Sequence, residues 1–331
     1  MSYLQQSGLV VAIVLLGAVL TIAAGSHVDR STGAAVNNFL NAYTIVQTAT
    51  DASFFAVMAI GATMVIVSGG IDLSIGSIYA LAAVAMALAL RAIGPLGAGV
   101  TVALATTICL GIGLLCGALN GLMVIGLPVH PFIVTLGTMW IFRGVAFVAS
   151  QAESITVPLP LVAVAKSPLG LSPALYPVPT LVMLVVAAAG AVYLSRTVMG
   201  RHLYAVGGNP EASRYAGLDL NRIRLSVYVI SGLTAGIAAL LGSSYYGAAS
   251  CGDATGYELY VIAAAVVGGA SLSGGRGSAI NAMLGAILIV LIRQSIRLLH
   301  ADQNYEWIIV GGAIIAAVVL DQVSARLAGR T

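Results

Sequence analysis

Ser68-Gly69-Gly70-Ile71-Asp72-Leu73-Ser74-Ile75-Gly76-Ser77 is the stretch that decides this fold, because it interrupts two long apolar runs, 54–67 and 75–90. Two adjacent glycines stop a helix, since glycine accepts the left-handed backbone that a helix C-cap needs. Asp72 or Ser74 can then cap the next helix by accepting its free N–H groups. Irregular backbone at membrane depth persists only where protein buries it or where it lines a water-filled cavity. The stretch therefore predicts a broken membrane helix beside a pathway. Gly69, Gly70, Asp72 and Ser74 are candidate path residues, and Asp72 serves equally well as a plain cap.

Composition sets the surroundings of that break. Of 331 residues, 60% are hydrophobic and 8% charged, against about 25% charged in soluble domains. This is the composition of an integral membrane protein in a lipid bilayer. A net charge of +3 leaves no basic footprint for nucleic acid. The three cysteines, two of them (Cys109 and Cys116) inside an apolar run, read as packing residues without disulfide or metal spacing. Gly8–Ala24 lacks a basic leader and a clear cleavage site, and reads as an uncleaved first span.

A span needs about 20 apolar residues. The sequence predicts an all-α polytopic protein of about ten spans, near 8–25, 51–69, 74–91, 97–125, 131–149, 177–195, 224–247, 257–271, 279–299 and 304–321. The eighth is short enough to be re-entrant, and Asn37–Thr50 reads as a surface helix. Arg196, Arg201, Arg214, Arg222 and Arg224 cluster in the 196–224 loop; Arg276, Arg326 and Arg330 fall on the same side. The positive-inside rule puts that loop and both termini in the cytoplasm. The proline-rich loop from Ser150 to Tyr176 then faces outward and is not helical throughout.

Two further stretches stand out. Ser273-Gly274-Gly275-Arg276-Gly277-Ser278 also precedes a small-residue helix, which suggests two related halves, about 37–150 and 200–321, with broken helices in each. Ser273, Gly274 and Gly275 join the candidate path residues. In the 196–224 loop, Asn209 can cap a helix whose first residue is Pro210. Glu211 suits its N-terminal dipole, Gly217 ends it, and Ala212, Tyr215 and Ala216 form one face. Asn209, Pro210, Glu211, Ala212, Ser213, Tyr215 and Gly217 thus describe one short capped helix outside the membrane, suited to docking a partner. Gly111, Gly113, Gly117 and Gly121 in one span, and Gly232, Gly236 and Gly242 in another, read as close helix-packing faces. His130, between prolines, reads as a turn residue. Arg143, mid-span, either faces protein or snorkels. Asp253 and Glu258 read as solvated.

No phosphate-binding Gly-x-x-x-x-Gly-Lys-Ser/Thr occurs, and the one lysine, Lys166, follows Val162-Ala163-Val164-Ala165. No His-Glu-x-x-His, nucleophile elbow or intramembrane proton relay is visible. An enzyme or a self-sufficient ion-coupled carrier has no visible machinery.

Four ordered motifs resemble a known family: Ser68–Ser77; Phe132-Ile133-Val134-Thr135-Leu136-Gly137-Thr138 with Arg143-Gly144; Gly200-Arg201 through Ala205-Val206-Gly207-Gly208-Asn209; and Val267-Gly268-Gly269 with Ser273–Ser278. They resemble the permease subunit of bacterial ATP-binding-cassette (ABC) sugar importers of the ribose/xylose/galactose class. The resemblance covers nearly the whole chain, as a single transmembrane permease domain over 1–331. It implies an inner-membrane location and a second permease, identical or homologous. It also implies a cytoplasmic ABC ATPase docked on Pro210–Gly217 and a periplasmic sugar-binding protein on the outer face. ATP would be bound by the partner, so this chain needs no cofactor. Asn281 stands where the family usually has glycine. Branched-chain amino-acid permeases share a looser version of the first motif and are the alternative reading.

Overall fold

The computed structural model describes residues 2–28, 33–172, 174–312, 315 and 319. The order is α1 (Ser2–Ala23), the antiparallel pair β1 (Ser26–Val28) and β2 (Ala35–Asn37), then α2 (Ala42–Val67), α3 (Ile75–Ile93), α4 (Ala98–Gly126) and α5 (Pro131–Ser150). β3 (Ile155–Thr156), α6 (Leu159–Ala165), α7 (Val178–Arg196), α8 (Val198–Gly208), α9 (Pro210–Tyr215) and α10 (Leu220–Tyr246) follow. β4 (Ala248–Ala249), α11 (Tyr257–Val267) and α12 (Ala279–Leu298) complete the series, with 305–312 also helical.

Eight of the described helices are long and apolar enough to cross a membrane: α1, α2, α3, α4, α5, α7, α10 and α12. The eighth predicted span, α11, has 11 residues, about 16 Å of helix against a hydrocarbon core of about 30 Å. It starts beside the middle of α2 and the first turns of α3: the Tyr257 ring lies 4.4 Å from that of Phe55 on α2 and 6.3 Å from that of Tyr79 on α3. The tenth predicted span, 304–321, runs past 312 largely outside the described residues, as do Arg30, Arg326 and Arg330.

α2 is the hub. Every residue from Ala52 to Ser68 is buried, with α7, α10, α11 and α12 packed around it. A helix apolar on all sides belongs in the interior of a bundle. The outer helices instead turn bulky side chains away from the protein: Leu115 and Leu122 on α4, Trp140, Ile141 and Val148 on α5, and Leu184 and Val185 on α7. That apolar exterior suits lipid.

The packing also shows a repeated pattern. α4 lies on α3 and α10, as α12 lies on α11 and α2; α3 touches α10, as α11 touches α2. The two glycine faces foreseen in α4 and α10 pack on each other. A Cβ on Gly113, Gly117, Gly232 or Gly236 would overlap a carbonyl oxygen of the facing helix. Gly111 faces away with nothing near it, and Gly242 instead accommodates the Tyr79 hydroxyl.

The expected surface helix at Asn37–Thr50 is not separate. α2 begins at Ala42, capped by Asn41, whose Oδ1 accepts from Thr44 N at 2.8 Å. No glycine or proline follows until Gly61, so nothing stops the helix at Thr50. Thr44, Thr48 and Thr50 are buried, and Asp51 pairs with Arg297 of α12 at 3.3 Å. The 150–176 loop is turn-rich apart from α6. Lys166, at the end of α6, lies 5.2 Å over the Tyr245 ring. β3 pairs with β4 and ties this loop to the connection between α10 and α11.

Candidate functional site

α2 stops in the manner its glycines predict. Ser68 is the C-cap and Gly69 adopts φ +83. Gly69 N donates to Ile66 O (2.9 Å) and Gly70 N to Val65 O (3.0 Å), the paired bonds of a Schellman stop. The same stop recurs at the end of α11, where Gly269 has φ +89, Gly269 N donates to Val266 O and Ala270 N to Ala265 O. The conformational match to Ser68–Gly70 is therefore Gly268–Ala270, five residues before Ser273.

The seven residues between α2 and α3 are held by Asp72. Ser74 occupies the N-cap position of α3, but its side chain does not cap. Instead Asp72 Oδ1 accepts from Ser74 N (2.9 Å) and Ser74 Oγ (2.7 Å), and Asp72 Oδ2 accepts from Ser231 Oγ of α10 (2.7 Å). Asn120 of α4 donates Nδ2 to Ser74 Oγ at 2.6 Å. Its Oδ1 is buried with no hydrogen-bond partner among the described residues. Thr135 of α5 donates to Ile71 O at 3.0 Å. The break is thus stitched to α4, α5 and α10 at once. Asp72 and Ser74 are buried, whereas Gly69 and Ser273 are exposed. Gly70 leaves no room for a side chain, since a Cβ there would lie 2.7 Å from the Tyr228 hydroxyl.

The second glycine run lies against the first. Gly275 N donates to Val67 O, the last carbonyl of α2, at 2.8 Å. Both loops meet the end of α8. A Cβ on Gly207 would overlap Val67 O and lie 2.6 Å from Gly275 N. A Cβ on Gly274 would lie 2.6 Å from Gly207 O. Tyr204 donates its hydroxyl to Gly277 O at 2.7 Å.

The 196–224 region is more helical than the one short helix expected. α8 fills the first part, capped by Thr197, whose Oγ1 accepts from Gly200 N at 3.0 Å. α9 then runs Pro210–Tyr215, with Asn209 Oδ1 accepting from Ala212 N at 2.9 Å. Gly217, at φ +83, closes a third Schellman stop, with Gly217 N to Arg214 O and Leu218 N to Ser213 O. Ser213 is buried, while Glu211, Ala212, Ala216 and, at 92% exposure, Tyr215 face outward. α9 is a capped, solvent-facing knob joined by one residue to α8.

At the end of the bundle away from α9, other expectations change. Arg143 faces protein: its Nη1 donates to Cys251 O (2.7 Å) and to Asp253 O. Asp253 and Glu258 are half-buried and not solvated. Asp253 accepts from Ser250 N at 2.8 Å, and Glu258 Oε2 is buried, because the α10–α11 connection folds inward under Arg143. His130 caps α5, accepting from Phe132 N at 3.3 Å, with Pro131 following. Sequence reading missed an aromatic and ionic cluster here. Arg293 pairs with Glu306 (2.8 Å) beneath the rings of Phe55 and Tyr260, and Tyr260 donates to Glu306 (2.6 Å). Its signal was an arginine and a glutamate within or beside apolar spans.

No group of three or more His, Cys, Asp or Glu able to hold a metal occurs among the described residues. What the arrangement can do is mechanical: two interrupted helices in contact, linked to an exposed helical knob.

The chain is 35% identical over 291 residues to the D-allose transport system permease of Escherichia coli K12, covering 87% of this chain and 86% of that protein. It is 33% identical over 320 residues to the ribose import permease of the same organism, covering 96% and 94%. It is 32% identical over 292 residues to the fructose import permease of Rhizobium meliloti, covering 86% and 79%. No solved structure matches. A family model described as branched-chain amino acid transport system / permease component matches residues 44–318, so the chain belongs to that family and is a multi-pass transmembrane subunit of an ABC importer, not an enzyme.

Proposed function

We propose that this permease forms the inner-membrane path for a monosaccharide or a related polyol. The observation that carries the reading is the near full-length similarity to ribose, allose and fructose import permeases. The family description names branched-chain amino acids instead, and an uptake assay separates the two. Cells lacking their own importers and supplied with this permease and its partner subunits take up labelled ribose, allose or fructose. Uptake of leucine alone would overturn the sugar assignment.

The whole chain, 1–331, acts as one transmembrane domain built from halves at about 37–150 and 200–321. Both termini and the 196–224 region lie in the cytoplasm, as the arginine cluster supports. Gly69, Gly70, Asp72, Ser74, Ser273, Gly274 and Gly275 border the path. A second permease, identical or homologous, completes it, and a periplasmic binding protein delivers the solute to the 150–176 side.

ATP is bound by a cytoplasmic ABC ATPase seated on Asn209–Gly217. The exposed Glu211, Ala212 and Tyr215 on a firmly capped helix support that seat. Nucleotide binding closes the ATPases, displaces α9 and opens the path outward; hydrolysis returns it inward, a two-state rocking motion. Glu211→Arg combined with Ala212→Arg is expected to abolish both co-purification with the ATPase and uptake. Retention of both would remove α9 as the docking site.

A further inference from the structure

We propose that Gly207, Gly274 and Gly275, with the Val67 carbonyl, form a backbone joint that carries the displacement of α8 to both interrupted helices. The proposal rests on the importer reading above and names the positioning residues through which α9 acts. Three segments distant in sequence meet here with no side chain between them. Gly207 sits where any Cβ would overlap Val67 O and crowd Gly275 N. Gly274 (φ +84) and Gly275 (φ +70) have backbones that side chains disfavour, and their own Cβ atoms would press on Gly207 O and Gly208 Cα at 2.6 and 2.9 Å. The Gly275 N to Val67 O bond fastens the second glycine loop to the end of α2, and the Tyr204 to Gly277 bond fastens α8 to that same loop.

Side chains can absorb a small shift by changing rotamer, whereas packed backbone has no such slack. α9 follows α8 after Asn209 alone, so a push on α9 arrives at this joint. Packed interfaces of this kind switch between discrete arrangements and do not deform continuously.

A test uses the permease assembled with its ATPase in lipid nanodiscs, bearing Ser273→Cys. Ser273 is exposed and Cys109, Cys116 and Cys251 are buried, so an impermeant maleimide reports on the second loop without any solute present. Trapping with ATP and vanadate is expected to change the labelling rate about fivefold or more, within the usual range of coupling between sites. With Gly207→Ala added, ATPase association and hydrolysis persist while the labelling change falls below about twofold. Ala205→Ser, on the exposed side of α8, keeps the full change. A full change in Gly207→Ala, or none in the parent Ser273→Cys protein while ATP is hydrolysed, overturns the joint. If Gly207→Ala does not fold, Tyr204→Phe decides: a reduced change supports the joint and a full one overturns it. Failure of the ATPase to associate with the parent would instead sink the importer reading, and leucine uptake would sink only the sugar.

Discussion

Asp72 is a carboxyl sealed from solvent among four apolar helices, and such a group is tolerable only when its lone pairs are occupied. Ser74 and Ser231 occupy them. Asp72→Ala leaves both hydroxyl protons without their acceptor, at about 1–3 kcal/mol for each buried group orphaned. Thermal unfolding in detergent is expected to show a clear fall for Asp72→Ala and a smaller one for the near-isosteric Asp72→Asn. Equal losses would mean that the hydrogen bonds contribute nothing. From sequence, Asp72 was legible as a cap, but Ser231 was not legible as its partner: 159 residues separate them, and no local pattern reports such a contact.

The helix stops were the most legible elements. Gly69 and Gly217 each take the left-handed conformation at a Schellman stop, a local event written in one or two residues, whereas the stop at Gly269 was missed because Ser273–Gly275 was read as the second break. α8 was illegible for the opposite reason. Gly200, Gly207 and Gly208 fall within its 11 residues, each costing about 1 kcal/mol in helix propensity. It forms because packing outweighs propensity: the glycines let it lie on the Tyr193 and Leu194 carbonyls and on Val67. The junction between α2 and its supposed surface helix failed similarly, since burial of Thr44, Thr48 and Thr50 was invisible in their polarity. The glycine faces of α4 and α10 yield a paired prediction. Gly232→Val drives a side chain into the Gly113 carbonyl and is expected to destabilise by about 1–3 kcal/mol or more. Gly111→Val, on the open side of α4 with nothing within 4 Å, is expected to unfold within a degree or two of the parent. Similar melting points for the two would break the account of how these helices cross.

Across the whole molecule the charges separate into two ends. Near α9 stand exposed arginines with few acidic partners, such as Arg222 beside Asp219. At the far end Arg297 with Asp51 and Arg293 with Glu306 are paired within the protein. The proposed orientation rests on that division, whereas the number of membrane crossings could not be read from hydropathy. α11 is too short to count by length, and only packing shows where it begins. The cation over the Tyr245 ring gives this architecture an unusual chemical handle. Lys166 is the chain's single side-chain amine, so coupling by amine-reactive succinimidyl esters through a side chain has one address. Applied to the assembled importer, such reagents should tether this subunit through Lys166 to whatever sits on the proline-rich side. Tryptic peptides joining Lys166 to the ATPase would invert the molecule in its bilayer.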